Sequence, residues 1–148
     1  MPGRPAGIFG YVLEKRMEER HMQLIIGGAF QGKKEYAKVQ GIEEKDMKDG
    51  ANASYEDIFT CRCLYHFHEW IRARLQEDRD MSHLEEELLR VNPDIVLISN
   101  ELGYGVVPVD AFDRKYREAV GRICTKMAAA AKRVVRVTCG IGTVIKNA

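Results

Sequence analysis

The sequence of 148 residues lacks any apolar run approaching the roughly 18 residues that a membrane-spanning helix needs, so no membrane span is predicted. Cysteine is scarce. Cys61, Cys63, Cys124 and Cys139 are too few and too scattered for a disulfide framework, and no charged start followed by an apolar stretch marks a secretory signal. A reduced, cytoplasmic protein is the expectation. An excess of charge of one sign is missing too: the formal net charge is +1 although 30% of residues are charged. That balance gives no electrostatic reason to expect nucleic acid or an anionic membrane as a partner. A small molecule recognised locally fits better.

What is present is the composition of a soluble globular chain, with 45% hydrophobic residues and a length suited to one domain that buries a core without disulfide or metal staples. Residues 1–21, MPGRPAGIFGYVLEKRMEERH, are Arg-rich and broken by proline and glycine. They are predicted to be an N-terminal arm, extended or partly ordered, ahead of a nucleotide-binding domain over 22–148. No internal repeat is visible.

Hydrophobic patterning divides that domain into alternating elements. Leu24 to Ile26 is a short aliphatic strand ended by Gly27 and Gly28, and KKEYAKVQ from Lys33 to Gln40 is helix-compatible, with Gly41 stopping it. Residues 41–53 are polar and turn-rich and read as a loop with room for a short strand. Ser54 and Asp57 then resemble a capping box, and Leu64, His68, Ile71 and Leu75 recur at helical spacing, which predicts a long helix over about 55–77. Phe59, Cys63, His66 and Trp70 fall on its other side, so this helix is expected between other elements or at a subunit contact. A second short helix begins near Ser82 and is broken by Asn92-Pro93. DIVLIS, residues 94–99, reads as a strand buried on both faces, Asp110 and Asp113 cap a helix running into Ala128 to Ala131, and residues 133–139 form a further strand. Strands alternating with helices predict an α/β sandwich around a largely parallel sheet.

The chemistry sits in GGAFQGKK. Gly27, Gly32 and Lys33 make a GxxxxGK pattern between a strand and a helix, the context in which backbone N–H groups cradle phosphate oxygens and the lysine reaches the terminal phosphates. The candidate nucleotide-binding residues are therefore Gly27, Gly28, Ala29, Phe30, Gln31, Gly32, Lys33 and Lys34. Lys34 stands where the pattern has the Ser or Thr whose hydroxyl ligates magnesium. Magnesium is accordingly expected only indirectly, held by a carboxylate and water or replaced by the charge of Lys34. SNELGYG follows DIVLIS at the sheet edge where ligands of open α/β sheets collect, which adds Asn100 as a binding residue. Glu101 is added as a catalytic candidate that takes a proton from a substrate hydroxyl or orients hydrated magnesium. Cys61, Cys63, His66 and His68 invite a zinc reading, but on one helix residues two apart point about 200° apart and do not converge on one ion. No metal ligand set is expected there, and His68 is read as a hydrogen-bonded core or interface histidine.

GGAFQGKKEYA, and then residues 99–146 from SNELGYG to the end of the last strand, resemble the adenosylcobinamide kinase / adenosylcobinamide-phosphate guanylyltransferase family of cobalamin salvage. The second block is the specific one: Asn100-Glu101, Gly103, Gly105, Val107-Pro108, Tyr116-Arg117 and Gly121-Arg122 match the family's pattern in order. The resemblance implies a three-layer, RecA-like P-loop fold, here reduced in strand number. It also implies a kinase using GTP or ATP on the aminopropanol hydroxyl of adenosylcobinamide, with Lys33 and Glu101 catalytic and a corrinoid as substrate. A second activity is implied, in which a histidine accepts guanylyl from GTP, and so is a homotrimer with sites between subunits. The chain departs from the pattern in Lys34 and in a missing segment ahead of DIVLIS. One alignment of EDIFTCRCLYHF makes His66 the guanylyl acceptor; another matches the same residues to a later strand and helix of the family and leaves no acceptor. A nucleotide- or corrinoid-binding protein without turnover, and an assembly subunit with a structural glycine loop, are the competing readings.

Overall fold

The computed structural model describes residues 21–102 and 110–148. Of the N-terminal arm only His21 is included, its amide donating to the Asp94 carboxylate at 3.1 Å; Gly103, Gly105 and Val107-Pro108 also lie outside the described residues.

Six strands form one sheet in the order β2-β3-β4-β1-β5-β6. They are β1 (Gln23–Gly27), β2 (Met47–Asp49), β3 (Cys63–Tyr65), β4 (Val96–Asn100), β5 (Arg133–Thr138) and β6 (Ile141–Asn147). All neighbours are parallel except β5 and β6, which form an antiparallel pair across a tight turn. Parallel neighbours need crossovers, and except between β2 and β3, which are joined through a short 3₁₀ turn, helices supply them: α1 (Lys33–Val39), α2 (Phe67–Gln76), α3 (Leu84–Val91) and α4 (Ala111–Ala130). The inner strands β1, β3 and β4 are apolar on both faces because both are covered. Leu24, Leu64, Leu97 and Val134 point into the larger core with α2, α3 and α4, while Ile25, Cys63, Val96, Ile98 and Val135 point into a smaller one with Ala37 of α1. The result is the expected mostly parallel, P-loop-like α/β arrangement, and no described helix is long and apolar enough to cross a membrane.

One predicted element is overturned. The capping pair at Ser54 and Asp57 forms, the Ser54 amide donating to Asp57 at 2.8 Å and the Asp57 amide to the Ser54 hydroxyl at 3.3 Å. It starts only a four-residue 3₁₀ turn at Glu56–Phe59. Instead of continuing as a helix, the chain enters the sheet as β3, between β2 and β4, and Cys63 and Leu64 become fully buried on opposite faces. Asn92 holds the turn in place by donating to the carbonyls of Ile58 and Cys61. The helix begins at Phe67, after His66 has taken a left-handed φ of 53°. Its several apolar sides are used within the chain. Phe67, Trp70 and Ile71 are all buried, and Trp70 lies between the rings of Tyr55 and Phe67 with its indole N–H donating to the Ser54 carbonyl at 3.1 Å.

His68, also on α2, is buried and accepts the Asn100 amide hydrogen at its Nδ1 (3.1 Å), which ties α2 to the end of β4. Accepting at Nδ1 requires an unprotonated nitrogen there. Burial, helped by the nearby charges of His66 and Lys33 and opposed by Asp49, pushes its pKa down to about 4.

Two measurements check this packing. Trp70→Ala is expected to remove about 3–5 kcal/mol of stability in urea unfolding; a loss below about 1 kcal/mol would mean the indole is not packed as described. For His68, the folded pKa lies below the unfolded value, so its contribution is present above about pH 6.5 and is lost as pH falls towards 4. Stability should therefore decline between those limits by about 2–3 kcal/mol more in the wild type than in His68→Gln, measured as unfolding free energy against pH.

Candidate functional site

The site begins with the way β1 ends. Gly27 stands opposite Asn100 in the parallel register with β4. On its other side it passes so near β5 that a Cβ would lie 2.5 Å from the Val137 carbonyl oxygen. Only glycine fits. The chain then bends outward, with Phe30 (φ 59°) and Gly32 (φ 86°) left-handed and the Phe30 ring fully in solvent. Two hydrogen bonds clamp the loop to the turn between β5 and β6: the Gly140 amide donates to the Gln31 carbonyl at 2.7 Å and the Cys139 amide to the Gln31 side-chain oxygen at 2.6 Å. Gln31 is thus a bracket that fixes the loop's curvature.

Lys33, the first residue of α1, is 8% exposed, and its Nζ donates to the Gly28 carbonyl at 2.6 Å. Burial lowers its pKa, and the negative charge of Glu101 works in the opposite direction. The ammonium lies inside the curve of the loop, held by one carbonyl that a phosphate oxygen can replace. Lys34 points elsewhere, with its Nζ 4.0 Å above the Tyr65 ring and 3.4 Å from Glu44.

Asn100 and Glu101 arrive at the same edge through β4. The Glu101 amide donates to the Gly27 carbonyl at 2.8 Å, and its carboxylate meets the Arg136 Nε at 2.7 Å. His66 arrives through β3. Its Nδ1 is 2.9 Å from Asp49 Oδ1, and its ring stands edge-on to Tyr65 and His68. Burial pushes the Asp49 carboxyl up, but the Ala51 amide and His66 outweigh it and leave the pKa below its usual value.

A cavity of about 300 Å³ opens among these groups, lined by residues 29–35 of the loop and α1 together with Tyr65, His66, Ile98 and Asn100. The structure therefore brings Ala29, Phe30, Gln31, Gly32, Lys33, Lys34, His66 and Asn100 to one cavity. Gly27 and Gly28 form its backbone support, and Glu101 lies at the border, lining a neighbouring cavity that shares Asn100. His66 reaches the site from the end of a strand, so the reason given for separating it from Cys61, Cys63 and His68, one shared helix, does not hold. Cys61 and Cys63 are instead thiols whose pKa values burial pushes up to about 11 and about 12.

Tyr65, Asp49 and Arg136 are the residues that sequence reasoning missed. Asp49-Gly50 carried a usable signal, since a strand followed by Asp-Gly ends in a turn. At Gly50 a Cβ would lie 2.4 Å from the His66 carbonyl oxygen, so the end of β2 is pressed against the segment that presents His66.

The sequence profile described as cobinamide kinase / cobinamide phosphate guanyltransferase matches residues 43–145, from just before β2 into β6. The bifunctional adenosylcobalamin biosynthesis protein CobU of Salmonella typhimurium is 35% identical over 80 residues, covering 53% of this chain and 44% of that protein. Its namesake in Escherichia coli is 44% identical over 52 residues, covering 35% and 29%. The chain thus matches less than half the length of each of these relatives. The glycine loop precedes the span of the profile, and its placement against β4 and β5 rests on the geometry above. With 103 of 148 residues inside the match, counted from 43 to 145, the chain belongs to the cobinamide kinase / cobinamide phosphate guanyltransferase family.

Proposed function

We propose that this chain acts in adenosylcobalamin biosynthesis as a kinase, passing the terminal phosphoryl group of GTP or ATP to a hydroxyl of cobinamide. The observation that carries the reading is the placement of Lys33: a buried ammonium inside a glycine loop, at the carboxyl edge of a parallel sheet, beside a cavity of about 300 Å³. In the transfer, the substrate hydroxyl oxygen forms a bond to the γ-phosphorus. The bond from that phosphorus to the bridging oxygen breaks, and the nucleoside diphosphate leaves with the electron pair. The hydroxyl proton passes to the Glu101 carboxylate, which Arg136 orients at 2.7 Å. Lys33 and the loop amides offset the charge on the transferred group. The loop offers magnesium no hydroxyl ligand, since Lys34 pairs with Glu44 and stacks on Tyr65. The described transfer runs on the loop amides, Lys33 and Glu101.

A second reading, guanylyl transfer through His66, has one observation in its favour. Asp49 holds the imidazole by Nδ1 at the wall of the same cavity, which leaves Nε2 to attack the α-phosphorus of GTP with release of pyrophosphate. Against it stands the path of the chain, since a strand running into a helix, as β3 runs into α2, is the pattern expected by the alignment that leaves no acceptor.

Lys33→Ala is expected to weaken GTP and ATP binding roughly 10–100-fold, the loss of one charge-assisted contact; calorimetry showing unchanged affinity would sink the kinase reading. For the second reading, wild type incubated with GTP should gain one guanylyl unit in intact mass and His66→Ala should not. A wild-type mass that stays unmodified removes guanylyl transfer while leaving phosphorylation of cobinamide to be scored separately.

A further inference from the structure

The cavity beside Glu101 is distinct from the one under the glycine loop, although the two share Asn100. It measures about 290 Å³ and lies on the other side of β4's carboxyl end, between the sheet and α4. Ile26, Leu102 and Val120 give it apolar walls, and burial pushes the Cys124 thiol up to about 11, so that wall is uncharged as well. Its charged groups are concentrated at one place, where the Glu101 and Arg136 pair meets Asn100, and the other polar side chain of the lining, Thr125 on α4, donates its hydroxyl to the Gly121 carbonyl at 2.7 Å. Asn100 lines both cavities, and the Glu101 amide is bonded to Gly27 at the root of the loop.

Gly121 sets the access. It lies within α4, where glycine is disfavoured relative to alanine by about 1 kcal/mol, and its φ needs no glycine. Among the described residues, a Cβ built there meets nothing within 4 Å. The missing side chain leaves open space on the helix face that borders the cavity.

We infer that this second cavity binds the acceptor: it takes the hydroxyalkyl arm of the corrinoid, aliphatic part against Ile26, Leu102 and Val120, with the terminal hydroxyl at Glu101. The inference rests on the kinase reading for the identity of the acceptor. Apolar walls with one polar cluster suit a short alkyl chain ending in an alcohol, and a space of this size lies at the lower limit of ligand pockets. The macrocycle therefore stays outside, over the α4 surface at Gly121, and only the arm enters. Phosphates enter from the Lys33 side and the alcohol from the Arg136 side, and they meet between Asn100 and Glu101.

The test is direct binding of cobinamide to the full chain by equilibrium dialysis, without nucleotide, for wild type, Gly121→Ala and Gly121→Leu, with GTP affinity and thermal unfolding measured on the same samples. An isobutyl side chain at this position fills the open space, so Gly121→Leu should weaken cobinamide binding roughly tenfold or more, with Gly121→Ala intermediate and GTP affinity within about twofold of wild type. Folded Gly121→Leu that binds cobinamide like wild type overturns the proposal, as does a wild type that binds no cobinamide. Should Gly121→Leu unfold, Gly121→Ala, favoured in a helix, decides by the same comparison. Absence of GTP binding would defeat the kinase reading alone, because the dialysis contains no nucleotide.

Discussion

Everything at the carboxyl edge depends on two backbones being allowed to touch. Gly27 meets the Val137 carbonyl at a distance no side chain permits, and Gln31 then bonds twice to the β5–β6 turn. The loop's shape is therefore set by β5 as much as by its own glycines. This explains why Phe30 can hold a left-handed conformation with its ring in water: the residues on either side are fixed, and its strain of about 1–3 kcal/mol is offset by the contacts they make. A loop built this way is preorganised, with its curvature present before a ligand arrives.

The charged side chains around the loop form separate pairs. Glu101 is held by Arg136, Asp49 by His66 and Glu44 by Lys34 and Lys38. Lys33 differs, since its close polar contact is a neutral carbonyl and its carboxylate neighbour acts only through space. In a partly desolvated position a cation with so weak a counterpart raises the local preference for an anion. The departure at position 34 then has a physical sense. A hydroxyl there would serve a metal, whereas the lysine serves the wall, bridging α1 to β3 through Tyr65 and, through Glu44, to a short 3₁₀ turn at Glu44–Asp46.

Much of this was legible in the sequence where one signal was unopposed. The strand at 23–27, the glycine loop, the short α1 and the capped α4 follow from local pattern, and Asp110 does accept from the Asp113 amide at 2.6 Å. The segment 55–77 misled because two patterns overlapped there. Leu64, His68, Ile71 and Leu75 fit a helical stripe, yet Cys63-Leu64-Tyr65 is also three residues of a strand buried on both faces, and burial between β2 and β4 decided for the strand. The error carried into the site, since a strand ending at Tyr65 delivers His66 to the cavity beside the glycine loop and a helix would not. Arg136 was hidden for a different cause: it alternates with Val135 and Val137 in β5, and nothing local marks it as the partner of a carboxylate 35 positions away.

The strand order has a consequence for how the protein is made. The central strand β1 is the earliest of the six in the chain, while its neighbours β4 and β5 come some 70 and 110 residues later in sequence, as the pairings of Gln23 with Val96 and Arg133 show. During synthesis β1 waits for both. A nascent chain holding β1, the loop and α1 has the motif but not the wall that shapes it, because Val137, Cys139 and Gly140 have yet to emerge. The loop thus takes its final shape late, when the β5–β6 hairpin closes the sheet.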